Sequence, residues 1–467
     1  MTSILTRDVS SKTQSLISLL AMLFLLPFLV WGALEVVRIV SRAAGVPATI
    51  VIDNNALEDE IDLNFIHAFA QGGEESVDML APVISEVRSL SPRLIRLDHL
   101  YDHYSVVDRT AAGLTFDFSR LDHAVATIRA VGATPVLALS YMPSAIARDG
   151  VIINPPNNWD EWSLVVQRTI EHYSGRSRQN LRGVYYEVWN EPDLEQFGGW
   201  RLYGDKNYLT LYRYAAVGAE RAQNVNAFSL GGPATTGLYK NWIVGLISSG
   251  NRMDFLSWHT YLADPTRYKT DQENLIAWLA PYPTLTDIPE LISEFGFTGA
   301  KSTLYGTSFV SAHTAAVVRQ LVHGGPSYLF SFQLKDGPGQ TAGDGWGLIT
   351  HEDNGKRLKP RYGVYSFLDP MEGIGVRLTG EGTWVTGFAT TKGPTIRVML
   401  VNFDIKGTHV ETVPVNFINL LPGQFTLRQR FYRGQDTTTQ ETVAGSTLTK
   451  QIYMPAQSIL MLELTKL

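Results

Sequence analysis

The sequence contains no cysteine among its 467 residues. Disulfide bonds, thiolate metal sites and cysteine nucleophiles are therefore excluded. Charged side chains make up only 18% of the chain, and the formal net charge is −6. Binding to nucleic acid relies on a basic surface, so this charge balance argues against nucleic acid as a partner. Hydrophobic residues, at 45%, indicate an ordered globular chain with a large core.

One long uncharged run stands at the N-terminus, at residues 15–34. It is long enough to cross the roughly 30 Å hydrocarbon layer of a bilayer as a helix. A secretory signal would have a shorter apolar region, and the nearest small-residue cleavage candidate, Ala43-Ala44-Gly45, follows several charged residues. We therefore expect a membrane anchor that makes the lipid bilayer a partner and holds the body of the protein outside the cytoplasm. Secretion after cleavage is the alternative.

Short apolar runs then alternate with amphipathic segments. Eight such runs are typical of strands: 63–69, 93–98, 134–140, 183–189, 228–231, 254–259, 290–294 and 328–333. The clearest helix between them is predicted at 119–131, with Ser119 as its cap and Gly132 at its end. Strand and helix repeated eight times predict an α/β fold, the (β/α)8 TIM barrel.

The character of the chain changes near residue 376. Strand-like runs at 383–388, 395–402, 425–432 and 458–464 are separated by turns without helical periodicity, which predicts a C-terminal β-sandwich. The predicted division is therefore 1–46 for the tail, transmembrane helix and linker, 47–370 for the barrel and 371–467 for the sandwich. Residues 47–55 are a candidate extra strand of the sandwich.

Two carboxylates fall at the carboxyl ends of predicted barrel strands. Glu191 ends the fourth strand, with Trp189 and Asn190 beside it, and Glu294 ends the seventh. Catalytic groups of this fold lie at that end of the barrel, and a pair of carboxylates is what glycoside cleavage requires. Glu187 lies deeper in the fourth strand, so we interpret it as a buried carboxylate paired with a cation, of which Arg96 is one candidate.

The motifs around these residues resemble those of a large clan of barrel glycosidases. Trp189-Asn190-Glu191-Pro192 is similar to the clan's acid/base motif, and Glu294-Phe295-Gly296 is similar to its nucleophile motif. Further matches resemble glycoside hydrolase family 39, which includes β-xylosidases, iduronidases and exopolysaccharide hydrolases. They are Gln71-Gly72-Gly73, the segments 116–122 and 132–135, and Ser140-Tyr141-Met142-Pro143.

This resemblance implies a role for five residues. Glu191 would be the acid/base, Glu294 the nucleophile, and Asn190 the partner of the sugar 2-hydroxyl. Tyr261 would hydrogen-bond the nucleophile, and Arg96 would hold it ionised.

Three aromatic residues complete the predicted site. His259 is either a buried histidine at the barrel mouth or a substrate contact, and Trp189 supplies an aromatic face beside the acid. The clan usually ends its eighth strand with a tryptophan platform for the sugar, whereas this chain has Phe332-Gln333 there. Trp346, in the following loop, is the candidate replacement.

The sequence thus predicts a retaining O-glycoside hydrolase that acts on a polysaccharide or oligosaccharide outside the cytoplasm. We expect no cofactor and no metal. A non-catalytic glycan-binding scaffold of the cell envelope and a transglycosylase using the same residues are the alternatives. The sugar, the linkage and the oligomeric state stay open.

Overall fold

A computed structural model describes residues 45–340 and 343–467 of the protein. The strands up to the barrel's end are β1 (Ile50–Ile61), β2 (Ala68–Gln71), β3 (Leu94–Leu97), β4 (Val107–Thr110), β5 (Gly113–Phe116), β6 (Thr134–Leu139), β7 (Val184–Val188), β8 (Phe228–Thr235), β9 (Phe255–Tyr261), β10 (Glu290–Gly296) and β11 (Tyr328–Phe332). The α-helices are α1 (Ile84–Ser89), α2 (Ser119–Ala130), α3 (Trp159–Tyr173), α4 (Tyr208–Arg221), α5 (Lys240–Ser248), α6 (Thr266–Leu279), α7 (Ser308–Leu321) and α8 (Val364–Leu368).

Eight of these strands close into a parallel barrel in the order β2, β3, β6, β7, β8, β9, β10, β11. The (β/α)8 barrel predicted from the alternating pattern is confirmed. Its lower interior is filled by small and large apolar side chains, among them Leu94, Val136, Phe255, Leu291 and Phe330. Because this floor is packed, the open end of the barrel at the carboxyl ends of the strands is where polar groups can meet a ligand.

The first barrel strand begins later than predicted. Residues 63–69 form one apolar run in the sequence, but Leu63–Ile66 folds as a short 3₁₀ turn and β2 begins only at Ala68. The cause is local, since the Asp62 side chain accepts a hydrogen bond from the backbone N–H of Asn64 at 2.8 Å and starts a turn. The cap of α2 also differs from the prediction, because Asp117 and not Ser119 accepts the hydrogen bond at its start.

The C-terminal part is rich in β-structure, as predicted. Its strands are β12 (Gly373–Thr379), β13 (Val385–Lys392), β14 (Thr395–Asn402), β15 (Glu411–Ile418), β16 (Gly423–Phe431), β17 (Asp436–Val443), β18 (Leu448–Met454) and β19 (Ser458–Lys466). They hydrogen-bond into one nine-stranded sheet in which β1 lies between β12 and β15. Alternation along β14 sends Val398 and Leu400 into the core of this sheet, and Met399 and Val401 into the core shared with the barrel.

The transmembrane helix predicted at residues 15–34 lies outside the described residues. Within 45–340 and 343–467, no helix combines the length and the apolar character needed to cross a membrane.

Candidate active site

Glu191 reaches the barrel mouth because the chain turns sharply after β7. Trp189 and Glu191 both adopt left-handed backbone angles, with φ of 75° and 43°. Such angles are uncommon for residues other than glycine and cluster at functional sites. The turn is held by a hydrogen bond from the backbone N–H of Glu191 to the carbonyl of Ala234 in β8, at 2.9 Å. The carboxyl group of Glu191 is thereby fixed over the open end of the barrel.

Glu294 lies within β10, where the strand departs from regular pairing. Leu291 belongs to the barrel floor, so strict alternation would turn Glu294 outward toward the helices. The register between β9 and β10 shifts between Ile292 and Glu294, as at a β-bulge. This shift reverses the alternation, so that Glu294 faces the cavity while Ile292 and Phe295 pack among the outer residues.

The two carboxylates face one cavity. Glu191 and Glu294, with His259, each offer an atom that lies within 4.8 Å of the others. The cavity has a volume of about 540 Å³, in the range of small-molecule sites. It is lined by Gly72, Gly73, Glu74, Asp98, His99, Asn190, Glu191, Leu194, Gln196, Phe197, Thr236, Tyr261, Glu294, Gly299, Phe332 and Trp346. The sequence motifs after strands one, four and seven therefore meet at one place.

Arg96 is the centre of the hydrogen-bond network beneath the cavity, and its side chain is fully buried. Its Nε donates to Oε2 of Glu187 at 2.6 Å, and its Nη1 donates to Oε1 of Glu294 at 2.8 Å. Its Nη2 donates to Oδ1 of Asn190 at 2.7 Å. One guanidinium group thus fixes the side-chain orientation of both Glu294, a candidate nucleophile, and Asn190.

Two further side chains contact the carboxylates. The hydroxyl of Tyr261 donates to Oε2 of Glu294 at 2.6 Å. Nδ1 of His259 lies 2.9 Å from Oε1 of Glu191 and 3.5 Å from Oε2 of Glu294. Glu294 therefore receives donors on both oxygens, which leaves its orientation little freedom.

Burial and neighbouring charges shift the ionisation of this cluster. Burial raises the pKa of Glu294 to about 7, although the charges of His259 and Arg96 act in the opposite direction. The charge of Arg96 therefore favours the ionised form of Glu294, as the family resemblance implies, but the effect of burial on the pKa is larger. Burial lowers the pKa of His259, whereas Glu294 and Glu191 raise it, and the net change is upward. A carboxyl group with a pKa near neutrality is suited to proton transfer or to nucleophilic attack at physiological pH.

The predicted contact residues divide into two groups. Asn190, Tyr261 and Trp346 line the cavity with the two glutamates. Arg96 and His259 are completely buried below it and act on the carboxylates.

Trp189 does not reach the cavity, which corrects the expectation of an aromatic face beside the acid. Its ring packs against Tyr141 and Trp200, and its Nε1–H donates to the carbonyl of Phe197.

Several lining residues were not singled out from the sequence. Asp98 and His99 follow β3, and Glu74 follows β2, so their position at strand ends was a usable signal. Phe332, at the end of β11, packs edge-on against Trp346 with ring centres 5.8 Å apart. Phe197 comes from a short turn in a long loop, and nothing in its local sequence indicates a site.

About half of the chain matches a known protein family. Residues 87–311 match the model of glycosyl hydrolases family 39. The resemblance to family 39 is confirmed. The matched segment runs from α1 into α7 and includes Glu191 and Glu294.

Individual relatives support the same relationship. A β-xylosidase of Caldicellulosiruptor saccharolyticus is 32% identical over 178 residues, which is 35% of this chain and 35% of that protein. The chain thus matches about a third of the length of that relative. A monomeric β-xylosidase of Caulobacter crescentus CB15 superposes with a TM-score of 0.73 at 18% identity, covering 90% of this chain and 100% of the other. A family 39 enzyme of Xanthomonas axonopodis pv. citri gives a TM-score of 0.71 at 18% identity, with 90% and 98% covered. At such identities the superpositions establish the fold.

Proposed function

We propose that the protein is a retaining O-glycoside hydrolase in which Glu294 is the nucleophile and Glu191 the acid/base. The observation that carries the proposal is the pair of carboxylates within 4.8 Å of each other at one cavity. Retaining enzymes hold their two carboxyl groups about 5–5.5 Å apart, whereas inverting enzymes separate them by about 6.5–9.5 Å to admit a water. The short separation therefore favours double displacement.

The division of roles follows from the contacts of each carboxylate. Glu294 is anchored on both oxygens by Arg96 and Tyr261, so it is held in one orientation for attack on the anomeric carbon. Glu191 has a more exposed side chain than Glu294, 13% against 7%, and its contact is an imidazole that can exchange protons. A residue that first donates and then accepts a proton needs this greater exposure and a contact that can exchange protons.

The reaction proceeds in two steps. An oxygen of Glu294 attacks the anomeric carbon while Glu191 protonates the departing glycosidic oxygen, which forms a glycosyl ester on Glu294. Glu191, now ionised, takes a proton from water as the water oxygen attacks the same carbon, and Glu294 leaves as a carboxylate. The imidazole of His259 is hydrogen-bonded to Glu191 and adjusts this hydrogen bond as Glu191 loses its proton in the first step and regains one in the second.

The substrate is proposed to be a polysaccharide or oligosaccharide. The relatives that are named as β-xylosidases make β-xylosides the first compounds to test. An extracytoplasmic location is part of the proposal and rests on the uncharged run at residues 15–34.

The test compares hydrolysis by the protein with that of its Glu294→Ala and Glu191→Ala variants, on aryl xylosides and on a panel of polysaccharides. Glu290→Gln is a matched control, because Glu290 lies on the same strand as Glu294 but at the opposite end of the barrel. We expect turnover to vanish in Glu294→Ala and to persist in the control. Glu191→Ala should fail chiefly on substrates with poor leaving groups. Near-normal turnover by Glu294→Ala on any substrate, or by Glu191→Ala on the polysaccharides, would remove the assignment.

The same experiment separates the two alternatives. Glycan binding without cleavage by any form identifies a non-catalytic scaffold. Products longer than the starting oligosaccharide identify a transglycosylase.

A further inference from the structure

Two carboxylates that the double displacement does not use also line the cavity. They are Glu74, in the loop after β2, and Asp98, just beyond the end of β3. Alternation along β3 explains the position of Asp98. Leu94 belongs to the barrel floor, Arg96 to the network above it and Asp98 to the cavity itself.

Both side chains have a buried oxygen without a partner among the described residues. Asp98 is 4% exposed, and its Oδ1 has no hydrogen-bond donor there. Oε1 of Glu74 accepts from Nε2 of Gln333 at 2.6 Å, while its Oε2 is buried and unpaired. Buried polar atoms are normally hydrogen-bonded, so two unpaired acceptors lining one cavity indicate that a ligand supplies the donors.

The charges around the cavity indicate which ligand fits. Its described lining includes the carboxyl groups of Glu74, Asp98, Glu191 and Glu294, but no lysine or arginine. Burial raises the pKa of Glu74, like that of Glu294, to about 7. The imidazole of His99 is the cationic group of the lining. It is already hydrogen-bonded through Nδ1 to Oδ2 of Asp102, at 2.7 Å.

Neither nearby basic side chain changes this balance. Arg96 is fully buried and directs its three donor atoms to Glu187, Glu294 and Asn190. The ammonium of Lys301 lies 5.7 Å from the ring centre of Trp346 and is outside the lining. A carboxylate on the sugar would therefore meet four carboxyl groups, and the one cationic group of the described lining, His99, is already paired with Asp102.

We propose that Glu74 and Asp98 form a sugar-binding subsite whose carboxyl oxygens accept hydrogen bonds. This subsite selects a glycosyl unit with hydrogen-bond donors and excludes one that carries a carboxylate. The donors are hydroxyl groups or the ammonium of an amino sugar, both of which satisfy a carboxylate oxygen. This inference rests on the proposed glycosidase function and assigns the specificity of the same cavity to two named residues.

The first experiment measures kcat/KM of the full chain on four 4-nitrophenyl glycosides: the β-xyloside, β-glucoside, β-glucosaminide and β-glucuronide. We expect the glucuronide to be at least about 100-fold poorer than the best of the others, because its carboxylate leaves charges unpaired in the cavity. The glucoside and glucosaminide, which differ at one substituent, identify whether hydroxyl or ammonium is preferred. Hydrolysis of the glucuronide at a comparable or higher rate overturns the inference and leaves the glycosidase assignment intact. Failure to cleave any glycoside or polysaccharide removes the proposed function, and the inference with it.

The second experiment assigns the selection to the two residues through Asp98→Asn and Glu74→Gln, which keep the size of each side chain. Loss of a charged acceptor should lower kcat/KM on the best neutral or amino substrate by about 10- to 100-fold. The kcat/KM on the glucuronide should fall by a smaller factor. The ratio of kcat/KM on the best substrate to kcat/KM on the glucuronide should therefore decrease. The control is Glu273→Gln on α6, whose side chain is 63% exposed and away from the cavity lining. An equal loss on all four glycosides, or an unchanged ratio in both folded variants, contradicts the proposal.

Discussion

Replacing Arg96 by lysine isolates the role of the guanidinium group beneath the cavity. Arginine donates from three nitrogens to Glu187, Glu294 and Asn190, at 2.6, 2.8 and 2.7 Å. Lysine keeps the positive charge but has one compact ammonium group in place of the planar fork. The variant should therefore keep one of these acceptors in place and leave the others without their donor.

The magnitude follows from the number of hydrogen bonds that lysine cannot make. A hydrogen bond to a charged group contributes about 1.5–3 kcal/mol, so the absence of two should lower the free energy of unfolding by about 3–6 kcal/mol. Glu294, the proposed nucleophile, is also no longer held in one orientation, and part of the charge that stabilises its ionised form moves away. We expect kcat/KM to fall by about 100- to 1000-fold, comparable to the removal of one preorganised electrostatic contact.

The assay pairs urea unfolding, followed by tryptophan fluorescence, with kcat/KM on the best substrate. Arg361→Lys is the matched control, since Arg361 is also buried but donates from Nε to Thr314 and stacks on Phe295. The control should lose stability without a comparable loss of kcat/KM. If Arg96→Lys retains both stability and activity within a few-fold, the account of the network is wrong.

Three other measurements test neighbouring parts of the site. Tyr261→Phe removes the hydroxyl that donates to Glu294 at 2.6 Å, so kcat/KM should drop about 10- to 100-fold with an unchanged circular dichroism spectrum, and full activity would refute the role of that hydrogen bond. Burial raises the pKa of Glu294 to about 7, and its ionised form is the proposed nucleophile, so kcat/KM should decline as the pH falls through that value. An acid limb near pH 4.5, the ordinary value for glutamate, would contradict this shift. Trp346→Ala should raise KM by about 3- to 10-fold with less effect on kcat, as expected when a stacking surface is removed, and an unchanged KM would exclude a platform there.

Much of the barrel and its two glutamates could be predicted because the relevant rules are local. Strand and helix periodicity indicated the eightfold repeat, and Pro192 and Gly296 marked the ends of strands four and seven. Alternation along β7 placed Glu187 below Glu191, and its pairing with Arg96 follows from the cost of burying a lone carboxylate.

The remaining features depend on contacts between distant parts of the chain. Trp189 stands beside the acid in sequence, but its side chain packs between Tyr141 and Trp200 instead of facing the cavity. Glu74 takes its position partly from a hydrogen bond to Gln333, across 259 residues of chain. No local pattern predicts such a pairing. Asp98 was predictable from alternation along β3, yet a single acid at a strand end is also typical of an ordinary solvated charge.

The anomeric configuration of the first-formed product tests the central claim most directly. Proton nuclear magnetic resonance during early turnover of the best substrate measures it before the free sugar mutarotates. Two displacements at one carbon, by Glu294 and then by water, predict a product with the configuration of the substrate. An inverted product would contradict the assignment of Glu294 as a nucleophile. It would also show that the short separation of the two carboxylates does not indicate double displacement.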